Sequence, residues 1–128
     1  MAYNVLIVDD SQTMRRVIRK TLTLSGFDLA ECWEAGDGQK ALEILRRQPV
    51  QLLLTDLNMS GMDGLELLRE VRKEEALREL PVVVITTEGG EKRLEEAYAL
   101  GVDGYLQKPF HPEAIRDILT RVMGKAHG

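Results

Sequence analysis

The chain has 128 residues, 44% of them hydrophobic and 30% charged, with a formal net charge of −4. That size suits one domain, and the mildly acidic balance speaks against a nucleic-acid surface, which would normally be basic. No stretch reaches the ~20 apolar residues of a membrane span, and the single cysteine, Cys32, excludes an internal disulfide and suits a reducing, cytoplasmic compartment.

The N-terminal segment has no basic region and too short an apolar run for a secretory signal. The first predicted strand is NVLIVD (4–9), an apolar run that ends on two adjacent carboxylates, Asp9 and Asp10. A helical stripe of Met14, Val17, Ile18, Thr21 and Leu22 follows, with Gly26 placed to stop it. LAECWEA (29–35) alternates and carries Glu31 and Glu34, as an edge strand does. Ala41, Leu42 and Leu45 mark a second helix, and Pro49 stands where it must end. VQLLLTD (50–56) is a third strand, followed by a helix on Leu65, Leu68 and Val71 with Asp63 as N-cap. PVVVITT (81–87) is a fourth strand, and Leu94, Ala97 and Tyr98 mark a short helix ending near Gly101. VDGYLQ (102–107) is the fifth strand. The last helix carries Ile115, Ile118, Leu119 and Val122, with Pro112 at its first position. Residues 1–124 read as one domain and 125–128 as a frayed tail.

Five strand–helix units in a row imply an α/β fold, a doubly wound parallel sheet covered by helices on both faces. The expected order is the flavodoxin-like 2-1-3-4-5. In such sheets the ligand crevice lies beyond the carboxyl ends of the strands. Asp9-Asp10, Thr55-Asp56, Thr86-Thr87 and Lys108-Pro109 would all reach that rim. Each has a plainer reading alone: Asp9 or Asp10 could cap the next helix, and Lys108 could be a solvated charge. Four independent strand ends meeting in one place favour a site.

Three clustered carboxylates raise one another's pKa unless a cation stands among them, and one lysine balances one charge. A divalent ion is the natural remainder. Hard oxygen donors suit Mg²⁺, and neither histidine nor Cys32 lies at a strand end. Mg²⁺, a lysine and a threonine hydroxyl are equipment for phosphoryl transfer, for which an aspartate can be the nucleophile. Asp56, alone on a central strand, is the better placed one, with Asp9 and Asp10 together as a metal clamp.

The set VDD, TDLNM, MDGLELL, VITTE and GYLQKPF, with TMRR in the first helix, resembles the receiver domain of response regulators over residues 4–124. Within that family the stand-alone chemotaxis type is most similar. The resemblance implies that Asp56 accepts a phosphoryl group from a sensor histidine kinase. It implies that Asp10 ligates Mg²⁺ directly, Asp9 through water, and Asp56 and the Asn58 carbonyl complete the protein ligands. It implies that Thr86 and Lys108 contact phosphoryl oxygens, that the Lys108–Pro109 bond is cis, and that Tyr105 is an aromatic switch. Asn58 and Glu88 fall where the family sets the lifetime of the phosphoryl group.

Three departures stand out: Ser60-Gly61 where a proline is usual, Thr87 where a smaller residue is common, and Gly89-Gly90 before the fourth helix. They bear on rates and lifetimes. Rival readings are weaker. DLNMSG imitates the start of an EF-hand, but Leu67 stands where a bidentate glutamate is required. An aspartyl-phosphate phosphatase would want a carboxylate at Asn58. No glycine-rich nucleotide loop is present, and a flavin module would be coloured. The basic group Arg15, Arg16, Arg19 and Lys20 reads as the solvated side of the first helix or a partner surface.

The expectation is a monomeric phosphorylation switch, not a conventional enzyme, whose only turnover is its own phosphorylation and dephosphorylation. Its output is a protein target, the flagellar motor switch being the leading candidate, reached through the face of the fourth helix, fifth strand and fifth helix. Ile118 and Met123 are expected to leave apolar surface there. A phosphorelay intermediate, or a receiver of another pathway, is the alternative.

Overall fold

A computed structural model describes residues 2–87 and 91–127, with side chains for 2–87 and 92–124. Glu88, Gly89 and Gly90 therefore lie outside the described residues. The elements run β1 (Tyr3–Val8), α1 (Gln12–Leu24), β2 (Leu29–Ala35), α2 (Gly38–Arg47) and β3 (Leu52–Thr55). They continue with α3 (Gly64–Lys73), a 3₁₀ turn (Glu75–Leu77), β4 (Val82–Thr86), α4 (Glu91–Ala99), β5 (Gly104–Gln107) and α5 (Pro112–His127). All strand pairs are parallel, in the order β2-β1-β3-β4-β5. Helical backbone runs to His127, past the boundary expected at 124.

The uninterrupted apolar runs of β1, β3 and β4 are explained by burial on both faces. Leu6, Val8, Leu53, Val82 and Val84 point into one cluster with α2, α3 and α4. Their neighbours Val5, Ile7, Leu52, Leu54, Val83 and Ile85 point into the other, with α1 and α5. Each such side chain contributes roughly 1.5–3 kcal/mol on burial.

Local signals end the helices where expected. Gly26 takes φ +82° after α1, and Gly101 takes φ +82° after α4, a region costly for a residue with a Cβ. The Asp63 carboxylate accepts from the Glu66 N–H and caps α3.

Four apolar assignments need correction. Val17 and Tyr98 are exposed, not parts of their helices' buried stripes. Ile118 and Met123 are buried, at 9% and 3% exposure, rather than presented to a partner. The reason is that α5 packs on α1 as well as on the sheet, so Ile118 and Met123 join Ile18 and Leu22 in one cluster. A wide buried stripe cannot be told from a narrow one with apolar flanks by periodicity alone.

One contact had no sequence signal. Arg72 of α3 donates to four carbonyls, Leu100 and Gly101 at 2.8 Å and Arg78 and Leu80 at 2.9 Å. It ties the end of α4 to the turn before β4. Burial lowers its pKa, opposed by the nearby Asp103 charge.

Candidate functional site

β1 and β3 end side by side, with the Asp56 N–H donating to Val8 O at 3.0 Å. That pairing sets Asp9 and Asp56 next to each other, both nearly buried at 2% and 7% exposure. Buried carboxylates require partners. Asp9 Oδ1 accepts from the Ser11 N–H at 2.9 Å, and Asp56 Oδ1 accepts from the Asn58 N–H at 3.1 Å. Their other oxygens share one ammonium: Lys108 Nζ lies 2.5 Å from Asp9 Oδ2 and 3.0 Å from Asp56 Oδ2.

Lys108 is placed by β5, its N–H donating to Thr86 O at 2.9 Å, and its bond to Pro109 is cis as the resemblance implies. With only 6% of the side chain exposed, it is no solvated surface charge. Burial pushes its pKa down, but the hydrogen bonds and charges of Asp9 and Asp56 outweigh that and raise it above 10.5. The stabilisation it brings is complete below the ordinary lysine pKa and is lost only as pH rises through the raised value.

Capping of α1 does not account for the two aspartates. Ser11 is the N-cap, its Oγ accepting from the Met14 N–H at 3.1 Å. Asp10 is exposed and faces an open pocket of about 380 Å³ that it lines with Asn58, Met59, Asp63 and Arg93. The expected cluster of three carboxylates is therefore a pair on Lys108 with Asp10 standing outside it. Among the described residues no three acidic, histidine or cysteine side chains converge as a preformed metal cluster. The reason is that Lys108 already draws Asp9 and Asp56 onto itself, and adjacent residues leaving a strand point to opposite sides. The donor set still fits a hard cation. Asp9 and Asp56 share a single ammonium, and Asp10, Asp63 and Asn58 line the pocket beside them with Met59 and Arg93, so carboxylate oxygens outnumber the cations there. Cys32 lies in β2 away from these strand ends, and burial raises its thiol pKa, Arg19 opposing and Glu34 adding.

Thr86 is buried at the end of β4, and Asn58 Nδ2 donates to its Oγ1 at 3.4 Å. Thr87 beside it is exposed. Tyr105, paired with Val84 across β4 and β5, is half-buried and packs toward the cluster under α2, α3 and α4. The basic stretch on α1 is partly accounted for inside the molecule. Arg15 Nε and Arg19 Nη1 meet Glu34 at 3.0 and 3.1 Å, and Arg15 Nη1 donates to Asp9 O at 2.6 Å.

Gly64 is a site residue that sequence reasoning passed over. A Cβ there would lie 2.2 Å from Asp56 O and 2.7 Å from Leu57 Cα, so α3 reaches the loop after Asp56 only through a glycine. The signal was available: a glycine in the first turn of a helix is a poor helix former and marks a close approach. Gly64→Ala is expected to cost about 1–3 kcal/mol in urea unfolding, as overpacking does. Wild-type stability would show that α3 can withdraw freely.

The same fold occurs in known proteins. The response regulator receiver domain model matches residues 5–120. A chemotaxis protein CheY homolog of Campylobacter jejuni is 42% identical over 125 residues, covering 97% of this chain and 95% of that protein. The crystal structure of Vibrio cholerae chemotaxis protein CheY4 superposes with a TM-score of 0.85 at 34% identity, over 95% of this chain and 99% of that one. The receiver domain of a Pseudomonas aeruginosa sensor histidine kinase, with a magnesium ion coordinated in its active-site cleft, gives 0.84 at 27% identity, over 97% and 99%. Shared fold, nearly full coverage and identity near 40% leave one conclusion: the chain belongs to the response regulator receiver domain family, as a homologue of the CheY chemotaxis proteins.

Proposed function

We propose that this receiver is a Mg²⁺-dependent phosphorylation switch in chemotaxis, with Asp56 as the phosphoacceptor. The observation that carries the reading is the shared lysine: Asp56 is a buried carboxylate whose second oxygen already rests on Lys108. An Asp56 oxygen attacks the phosphorus of a kinase phosphohistidine, the P–N bond breaks, and the imidazole leaves with a proton. Lys108 holds one side of the group, and the Thr86 hydroxyl, beside Asn58, is the donor on the other. Asp10, Asp56 and the Asn58 carbonyl would hold Mg²⁺, with Asp9 supporting it, and the bound ion would supply charge neutralisation for the phosphoryl oxygens.

The chain's own chemistry is limited to gaining and losing that group. Asn58 and Glu88 set its lifetime, and Thr87 screens the approach to it. Output passes from Thr86 to Tyr105 and the α4–β5–α5 face. The apolar surface there comes from exposed Tyr98 and half-buried Tyr105 and Leu106, not from Ile118 or Met123. The relatives are named as chemotaxis proteins, which supports that pathway; the rest of the reading is a sensor histidine kinase upstream, a motor-type protein target and a monomeric domain of residues 1–124 working in the cytoplasm. No helix of the described residues is long and apolar enough to cross a membrane.

The test is incubation with acetyl phosphate and Mg²⁺, followed by peptide mapping of the alkali-labile acyl phosphate. Label on the Asp56 peptide that requires Mg²⁺ is expected, and Asp10→Asn should lower Mg²⁺ affinity and labelling together by about tenfold or more, since one anionic ligand is lost. Label elsewhere, or wild-type Mg²⁺ affinity in Asp10→Asn, would reject the reading.

A further inference from the structure

α4 is held to the molecule by an arginine at each end, and the two attachments are unequal. At its C-terminal end, Arg72 grips Leu100 O and Gly101 O at 2.8 Å while its Nη1 reaches Arg78 O and Leu80 O at 2.9 Å. At its N-terminal end, Arg93 of α4 donates Nη2 to Leu57 O at 2.8 Å, and the same nitrogen stands 3.5 Å from Asp63 Oδ2. That second distance is long for a charge-assisted hydrogen bond. Arg93 Nε is buried and has no hydrogen-bond partner among the described residues. A buried donor left unpaired weakens whatever conformation buries it. A further polar link from α3 to α4, Arg69 with Glu96 at 3.2 Å, is half-exposed on both sides and contributes little.

We propose that Arg93 is a latch and Arg72 a pivot. The first turn of α4 detaches from the loop after Asp56 while the C-terminal end stays fixed, so the helix swings rather than slides. The loop side of the latch is directly coupled to the site. Leu57 follows Asp56 in the chain, Asp63 caps α3, and Arg93 lines the same pocket as Asp10 and Asn58. Negative charge added at Asp56 attracts the guanidinium into the shared pocket and away from Leu57 O, whereas the four carbonyls on Arg72 lie at the other end of α4. The trigger rests on the phosphoacceptor reading; the latch and pivot do not.

The test is residue-resolved amide exchange on the full chain without phosphodonor, comparing wild type, Arg93→Gln, Arg93→Lys and Asp63→Asn. Arg93→Gln should speed exchange at Glu95, Glu96 and Ala97 by about tenfold and leave Leu100 to Val102 unchanged. Arg93→Lys should restore part of the protection, because an ammonium can still donate to Leu57 O. Asp63→Asn should have a small effect, since asparagine still caps α3. Unchanged exchange at Glu95 to Ala97 in Arg93→Gln, or equal acceleration at both ends of α4, would overturn the proposal. A second arm adds beryllofluoride and Mg²⁺ to wild type. Faster exchange confined to the first turn of α4 supports the trigger, and a response of the site loops without it overturns the trigger. No response at any loop would instead count against Asp56 as phosphoacceptor, leaving the latch to be judged by the first arm.

Discussion

Asp56→Asn is expected to abolish phosphoryl uptake, by at least about two orders of magnitude, while leaving the fold intact. An amide oxygen has no negative charge to direct at phosphorus, and no neighbouring group in the site substitutes for it as a nucleophile at the end of β3. The structural cost is small. Asparagine is isosteric, its carbonyl can still accept from the Asn58 N–H, and Lys108 keeps Asp9 as a partner. Labelling with a phosphohistidine donor, with far-ultraviolet circular dichroism as the control on folding, checks it. Undiminished labelling at a single position would show that Asp56 is not the acceptor.

Lys108→Met is expected to damage stability and chemistry at once. Methionine matches the lysine stem in volume but leaves Asp9 and Asp56 facing one another with no cation, and both are nearly buried. Removing one partner from a buried ionic cluster costs about 3–5 kcal/mol, and solvent at the open rim places this case near about 3. Two signatures separate it from ordinary core damage. Mg²⁺ should recover part of the loss, because a divalent ion can occupy the position between the carboxylates. The variant should also lose the wild type's sensitivity to strongly alkaline pH. In the wild type the raised lysine pKa means that stabilisation persists up to the ordinary value of 10.5 and falls away above it. Urea titrations at neutral and alkaline pH, with and without Mg²⁺, measure both. A change under about 1 kcal/mol at neutral pH would place Lys108 outside the charge balance.

Much of this was legible because the determinants are local. Runs such as VLIV and VVVI need only be buried on both faces to read as central strands, and Gly26, Asp63 and Pro112 act within a turn of themselves. The convergence of Asp9, Asp56, Thr86 and Lys108 followed once the strand order was assumed. What escaped depends on pairs of elements. Nothing near Arg72 or Arg93 in the chain foretells that their guanidinium groups find carbonyls about 30 residues away on other elements. That Lys108 pairs with Asp9 and Asp56 while Asp10 stays exposed is likewise set across elements, which no spacing expresses. Ile118 and Met123 were misplaced for a related reason, since the width of a buried stripe is set by how many neighbours a helix has.

The two apolar clusters on either side of the sheet have one more consequence, for redesign. Asp9, Asp56, Thr86 and Lys108 leave the backbone at or just after the last residue of a strand, where the alternation that feeds the clusters has finished. The recognition surface and the chemical rim can therefore be rewritten as cassettes of loop and helix exterior, with the alternating interior of β1, β3 and β4 carried over unchanged. A chimera that keeps those three strands and takes its α4–β5–α5 exterior from another receiver should inherit the donor's partner and retain this protein's resistance to urea.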